Sequence, residues 1–418
     1  MTRLARFGPL ALLLAQTIAS ASATSTAVAQ LRAPNAAPTP AGALVRAKPA
    51  VVGMSNTLQS RVDSVINAAI KDHATPGATI AVARRGKLLM LKGYGHTDWA
   101  AGAPRANDST MYDMASLTKV VATTTAAMIL EEEGKLDIER TVASYLPEYD
   151  VPDKRAITVR MLLTHTSGIL SNHPLWKEAK GREQYFKGMI NFPLKNPPGS
   201  TALYTDWNMV LMQFIIERIT GQTLDQFVDA RVFGPLGMRD TRYNPAESLK
   251  PRIAPTETED FRGGQVWGVV HDETAWVLGG VSGNAGLFSS ARDLAVFVQM
   301  LLNGGSYNGV QIVKPSTVAR WTARQRPDAS RALGWDTPSP NSSAGRFFSP
   351  WSWGHTGFTG TSIWADPTKD LLVVLLTNRV NPTRDNQKIG PLRRAVADAV
   401  QQSIVDAPLR EWEEQPRR

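Results

Sequence analysis

Two strand-like pairs sit at opposite ends of this chain, with a long stretch of helix and loop between them. Near the start, the apolar runs 78–83 and 88–93 are joined through Arg84-Arg85-Gly86-Lys87, the pattern of a hairpin. Near the end, 361–365 and 371–377 flank Asp366-Pro367-Thr368-Lys369-Asp370, a turn composition. This distribution predicts an α+β protein. One antiparallel sheet is built from both chain ends and flanked by helices, with a mostly helical middle packed beside it. The cleft between the two parts is the natural place for a site.

Leu58, Val62, Val65, Ile66, Ala69 and Ile70 recur at helical spacing over 57–72. Further helices are predicted over 115–133, stopped by Gly134, and over 209–220, ended by Gly221. Others are predicted over 224–232, over 294–302 before Gly304-Gly305, and over 390–405. The expected domain runs from 55 to 408. Its helical part covers about 116–284, its sheet part about 55–115 and 285–408, and a tail follows at 409–418. No internal repeat is present.

Residues 1–29 read as a secretory signal. Arg3 and Arg6 precede an apolar core at 7–18, and Ala27-Val28-Ala29 fits a cleavage site before Gln30, with Ala21-Ser22-Ala23 as a second candidate. The apolar core is short for a span, so stable membrane insertion is not expected. A periplasmic or secreted location follows. Residues 30–54 are rich in Ala and Pro and are expected to form a flexible linker. Cysteine is absent, which excludes disulfides and lipid-modified cysteine. The net charge of +9 is scattered, with no basic stripe interleaved with aromatics, so a nucleic acid partner is not expected.

Ser116 and Lys119 stand three apart in Tyr112-Asp113-Met114-Ala115-Ser116-Leu117-Thr118-Lys119-Val120-Val121, where a long apolar stretch begins. On a helix they share a face. At its N-terminus the serine also meets unpaired N–H groups and the positive dipole end. An alcohol can be made a nucleophile there. Tyr204 lies in Pro197-Pro198-Gly199-Ser200-Thr201-Ala202-Leu203-Tyr204-Thr205-Asp206. A tyrosine is a poor base at neutral pH, but a nearby ammonium favours its phenolate. Lys119 can supply that charge, and the pair can relay the serine proton. The plainer reading of Tyr204 is a loop tyrosine packed at a turn. His355-Thr356-Gly357 lies between glycines at 354 and 360. That suits an edge strand approached closely by substrate backbone, with the N–H groups of Phe358 and Ser116 as an oxyanion hole. A Gly-rich turn is the plainer reading there.

In this order, Ser116/Lys119, Tyr204-Thr205-Asp206 and His355-Thr356-Gly357 resemble the three motifs of the serine hydrolases related to class C β-lactamases. That family includes D-alanyl-D-alanine carboxypeptidases, family VIII carboxylesterases and D-aminopeptidases. The resemblance runs from about 57 to 405. Leu163-Thr164-His165-Thr166-Ser167-Gly168 is similar to a family segment in the helical part. Val269-Val270-His271-Asp272-Glu273 and Leu376-Thr377-Asn378-Arg379 look like the cell-wall branch. The resemblance implies a β-lactamase/transpeptidase-like fold and an acyl-enzyme at Ser116, with Lys119 and Tyr204 moving protons. It places Asp206, His355, Thr356, Gly357 and Phe358 around the substrate and oxyanion. It implies neither metal nor cofactor.

Two residues depart from the family pattern. Asp206 stands where asparagine is usual, and an ionised carboxylate only accepts, so it can pair instead with Lys119. His355 stands where such β-lactamases carry lysine, and a neutral imidazole attracts a substrate carboxylate less. Both departures weaken the case for an efficient β-lactamase. The implied function is an exported, monomeric serine hydrolase cutting amide or ester bonds in cell-wall peptides, as a D,D-carboxypeptidase or muropeptide enzyme does. Its partners are small-molecule or peptide substrates, peptidoglycan fragments among them. The nearest alternative is a family VIII-like carboxylesterase with weak β-lactam hydrolysis. A non-catalytic peptidoglycan or penicillin binder is the other, and the intact Ser116, Lys119 and Tyr204 argue against it.

Other catalytic systems fit worse. No Gly-x-Ser-x-Gly elbow occurs, and the six histidines show no metal-binding pair. His165 reads as a structural hydrogen-bonding residue.

Overall fold

The computed structural model describes residues 43–171, 173–340 and 342–415. The signal-like segment 1–29 and most of the 30–54 stretch lie outside the described residues. The main sheet has six strands: β1 (Val45–Arg46), β2 (Gly77–Arg84), β3 (Lys87–Gly95), β4 (Trp353–Thr356), β5 (Ser362–Asp366) and β6 (Leu371–Thr377). Their order is β1-β3-β2-β6-β5-β4, so the chain ends meet where β2 pairs with β6. All neighbours are antiparallel except β1, which runs parallel to β3.

Arg84 faces Lys87, which leaves a two-residue turn of Arg85 and Gly86. Both have left-handed φ, 49° and 67°. That is the turn whose twist matches a right-twisted hairpin, and glycine takes one of its two positions without strain. Within the stretch expected to be flexible, β1 pairs with Lys87 and Leu88, and the short helical turn Pro49–Val52 buries Val52. The flexible reading is therefore corrected from Val45 onward. Local Ala and Pro content does not reveal an edge strand that a neighbour stabilises.

Both faces of the sheet are covered. Leu371, Val373 and Leu375 point to one core with Ile80 and Val82, closed by Val62 and Ile66 of helix α1 (Leu58–Lys71) and by Val396 and Val400 of the helix Ile389–Gln401. Leu372, Val374 and Leu376 point the other way, into a core shared with the helical middle and with Leu294, Phe297 and Val298 of the helix Ala291–Leu302. Burial on both sides explains why β6 reads as an unbroken apolar run.

A second, three-stranded sheet joins Met111–Asp113, Leu287–Ser290 and Arg242–Tyr243, with Leu287–Ser290 in the centre. It pins the approach to Ser116 against the far end of the helical middle. The helix expected over 115–133 is present, and its first part, Lys119–Thr124, is wound as a π-helix before α-helix resumes at Thr125–Glu132. The Thr125 hydroxyl bonds the Val120 carbonyl at 2.9 Å within this wider winding. Wide turns of this kind recur at functional sites. No helix among the described residues is long and apolar enough to cross a membrane.

Candidate active site

From Thr110 to Leu130 every residue is buried except Ser116, which is partly exposed. The chain reaches it through Ala115, whose φ of 45° is left-handed and costs a side-chain-bearing residue energy. Asp113 holds that turn. Its Oδ1 accepts the Ala115 N–H at 2.7 Å, and its Oδ2 accepts the His271 N–H at 2.7 Å. Burial pushes the Asp113 carboxyl up, against the pull of these bonds. Beyond the turn, the N–H groups of Leu117, Thr118 and Lys119 bond back to Met114, Ala115 and Ser116. Ser116 thus stands at the mouth of the helix, where backbone N–H groups have no intrahelical partner.

Lys119 is fully buried. Its Nζ donates to Ser116 Oγ at 2.7 Å and to the Asn284 carbonyl at 2.9 Å, and it pairs with Asp206 Oδ1 at 2.7 Å. Two hydrogen-bond acceptors and a carboxylate at ion-pair distance are surroundings that suit an ammonium. Burial alone would lower its pKa, but the Asp206 carboxylate, with Tyr204, outweighs burial and raises it. Asp206 sits at the N-cap of the helix Trp207–Thr220 yet makes no side-chain cap bond. Its carboxylate goes to Lys119 at a helix end that favours an anion. Tyr204, two residues earlier, places its ring centroid 5.1 Å from Lys119 Nζ.

His165 secures the Tyr204 loop. Its carbonyl accepts the Leu203 N–H at 2.7 Å, and its Nδ1 takes Asn208 Nδ2 at 3.0 Å. Its ring lies 4.5 Å from that of Tyr204. Burial, then the charges of Arg331 and Lys119, hold the imidazole far below its usual range, so it stays neutral. This is the structural role the sequence suggests.

The third motif lies on β4, the outermost strand. Gly354 pairs outward with Asp336 through both backbone groups, and the Gly357 N–H turns inward to the Thr361 carbonyl at 2.8 Å. Alternation along the strand directs the backbone groups of Thr356 to the open edge, and past the strand end the Phe358 N–H follows while its carbonyl turns back to Arg379 Nε at 2.9 Å. A Cβ on Gly357 would lie 2.3 Å from the Met114 carbonyl oxygen, so only glycine lets this strand end press against the segment that carries Ser116. The Thr359 and Thr361 hydroxyls fasten it, donating to the carbonyls of Asp113 at 2.7 Å and Met114 at 3.0 Å. The Phe358 ring is half exposed beneath Arg379, whose guanidinium lies 4.3 Å from its centroid.

His355 is placed differently from a substrate-contacting side chain. It is 4% exposed, and its Nδ1 donates to the Thr356 carbonyl at 2.8 Å. Burial, with Arg331 and Lys119 nearby, keeps it neutral. Two further residues complete the surroundings. Asn284 gives Lys119 a backbone carbonyl, which no side-chain pattern could announce. Asp272 accepts from Asn284 Nδ2 at 3.1 Å, and burial together with the Asp206 charge pushes its carboxyl up to about 6. Asp272 was visible within Val269-Val270-His271-Asp272-Glu273, but its role was not. Among the described residues, Glu257, Glu259 and His271 bring ligand atoms within 4.8 Å of one another. Arg384 pairs with both carboxylates and Arg262 with Glu259, so cationic side chains already occupy this cluster.

A nucleophile-bearing helix mouth between an antiparallel sheet and a helical part defines a serine hydrolase of β-lactamase/transpeptidase type. The chain belongs to the beta-lactamase family, whose family model matches residues 62–398. A Salmonella typhimurium protein provisionally named D-alanyl-D-alanine carboxypeptidase is 34% identical over 386 residues, 83% of this chain and 89% of that protein. The fold matches a penicillin-binding protein homologue from Caulobacter crescentus with a TM-score of 0.69 at 23% identity, over 84% of this chain and 99% of that one. It also matches a class C β-lactamase with a TM-score of 0.67 at 17% identity, over 82% and 98%.

Proposed function

We propose that the protein is an exported D,D-carboxypeptidase-like hydrolase that cuts cell-wall peptides through an acyl-enzyme at Ser116. The observation that carries this reading is the 2.7 Å bond from the Lys119 ammonium to the one accessible residue of a buried run, Ser116. An ammonium has no lone pair and cannot act as the base. Tyr204, acting as the phenolate that a neighbouring ammonium favours, therefore takes the Ser116 proton as Oγ attacks the carbonyl carbon, and returns it to the leaving amine or alcohol. Lys119 stabilises the developing alkoxide. The N–H groups of Ser116 and Phe358 hold the oxyanion. Water then releases the acyl group. The provisional name of the Salmonella relative supports a peptide ending in D-alanine as substrate. Export rests on the signal-like segment 1–29, and sequencing of the secreted chain should find Gln30 first.

A carboxylesterase is the second reading. His355 is buried and neutral, and Asp206 spends its carboxylate on Lys119, so neither offers a substrate carboxylate or amide its usual contact.

Intact-protein mass spectrometry after exposure to a labelled penicillin and a p-nitrophenyl ester tests the nucleophile. Wild type should gain one acyl group. Ser116→Ala should gain none while keeping its melting temperature. A Ser116→Ala variant that still labels would refute the assignment. Release of D-alanine from a cell-wall peptide, set against ester turnover, separates the two substrate readings.

A further inference from the structure

The turn that follows β4 is held from beneath by two arginines. Arg393, on the helix Ile389–Gln401, donates through Nη2 to the Gly357 carbonyl at 2.6 Å and to the Thr361 carbonyl at 2.8 Å. Arg379 donates through Nε to the Phe358 carbonyl at 2.9 Å. A buried arginine ordinarily meets a carboxylate. Among the described residues none forms an ion pair with Arg393, and its buried Nε has no hydrogen-bond partner. Burial, with the charge of Arg379, pulls this guanidinium down to about 9. An uncompensated cation costs the fold stability that an apolar side chain would not. The position makes sense through what the charge does locally.

We propose that Arg393 is a positioning residue for the oxyanion hole, holding the Gly357–Phe358 peptide so that the Phe358 N–H faces the open edge beside Ser116. This rests on the reading of the Phe358 N–H as an oxyanion donor. The Gly357 carbonyl and the Phe358 N–H are two ends of one planar amide. The shorter bond from Arg393 fixes that plane together with the Gly360 N–H, which the same oxygen accepts at 3.1 Å. A charged donor there also polarises the amide and strengthens its N–H as a donor. Turning the N–H away would require the Gly357 carbonyl to leave Arg393. It would also disturb the contact that presses Gly357 against the Met114 carbonyl.

The test uses full-length Arg393→Gln, Arg393→Lys and Phe358→Pro. The readouts are stopped-flow acylation by a p-nitrophenyl ester and the infrared carbonyl stretch of the acyl-enzyme, with near-ultraviolet circular dichroism to confirm folding. Loss of one oxyanion donor costs about 100- to 1000-fold, so weakening one should slow acylation by roughly 10- to 100-fold with KM little changed. The acyl carbonyl stretch should move to higher frequency in Arg393→Gln. Arg393→Lys keeps the charge without the planar fork, so it should fall between glutamine and wild type in both readouts. If the glutamine variant does not fold, the lysine variant decides alone. A folded Arg393 variant with wild-type stretch and wild-type acylation overturns the proposal. If Phe358→Pro slows acylation while the Arg393 variants do not, only the role of Arg393 falls. If Phe358→Pro acylates at the wild-type rate, the oxyanion reading falls and the role of Arg393 with it.

Discussion

Lys119 hydrogen-bonds Ser116 and the Asn284 carbonyl and forms an ion pair with Asp206, and this decides how its neighbours divide the chemistry. Asparagine at 206 would remove the carboxylate that holds the ammonium against burial. In Asp206→Asn the Lys119 pKa should fall, so the alkaline limb of the acylation profile should move to lower pH. The new amide can also donate to a substrate amide. A hydrogen bond to a charged group contributes about 1.5–3 kcal/mol, so kcat/KM for nitrocefin should rise roughly tenfold relative to a p-nitrophenyl ester. An unmoved limb and an unmoved ratio would show that Asp206 does not govern Lys119. At this scale the sequence was informative where chemistry depends on side-chain type and spacing. Ser116, Lys119, Tyr204 and Asp206 lie within one constellation because a Ser-x-x-Lys step and a residue before a helix leave few other arrangements. The Asn284 carbonyl left no such mark, since every residue carries one.

At the level of elements, the end of β4 meets the segment before Ser116 only because residue 357 lacks a side chain. In Gly357→Ala the added Cβ would strike the Met114 carbonyl oxygen at 2.3 Å. Overpacking of this kind costs roughly 1–3 kcal/mol. Because the strain falls on the turn beside the nucleophile, acylation should drop by roughly tenfold or more. Parallel urea melts and burst kinetics check this, and a variant stable and active as wild type would show that the turn yields freely. Helices and hairpins here were legible from apolar spacing and glycine stops. Arg242–Tyr243, Met111–Asp113 and β1 were not. Strands of two or three residues carry too little pattern of their own and exist because a longer neighbour offers them an edge.

Across the whole molecule, Glu257 ties a loop of the helical part to the segment that follows β6. It accepts from the Arg384 N–H at 2.9 Å, from Arg384 Nε at 2.6 Å and from His271 Nε2 at 2.8 Å. Burial alone would raise its pKa, but the His271 bond and then Arg384 bring it down to about 2. A depressed carboxyl stabilises the fold fully above its unfolded pKa and less as pH falls toward the folded value. Glu257→Gln should therefore cost about 2–3 kcal/mol at pH 7, and the deficit should narrow between about pH 5 and pH 3. Urea midpoints across that range measure it, and a deficit independent of pH would rule out the linkage. The division into sheet and helical parts was legible because both hairpins carry their own turns. The partner of each loop was not, since such pairing is fixed only once distant segments meet.

The pairing of β2 with β6 has a consequence for how the protein is made. A ribosome delivers β2 long before β6. Until β6 emerges, β2 lacks its central neighbour, and β1, β3 and β2 can pair only with one another. β4, with the turn that faces Ser116, likewise follows the whole helical middle. A translation product ending before residue 353 would carry Ser116 without the strand that lies beside it. It would also expose an apolar strand edge, which is the kind of surface that chaperones and proteases recognise. Hydrolytic competence therefore waits for segments made after the helical middle.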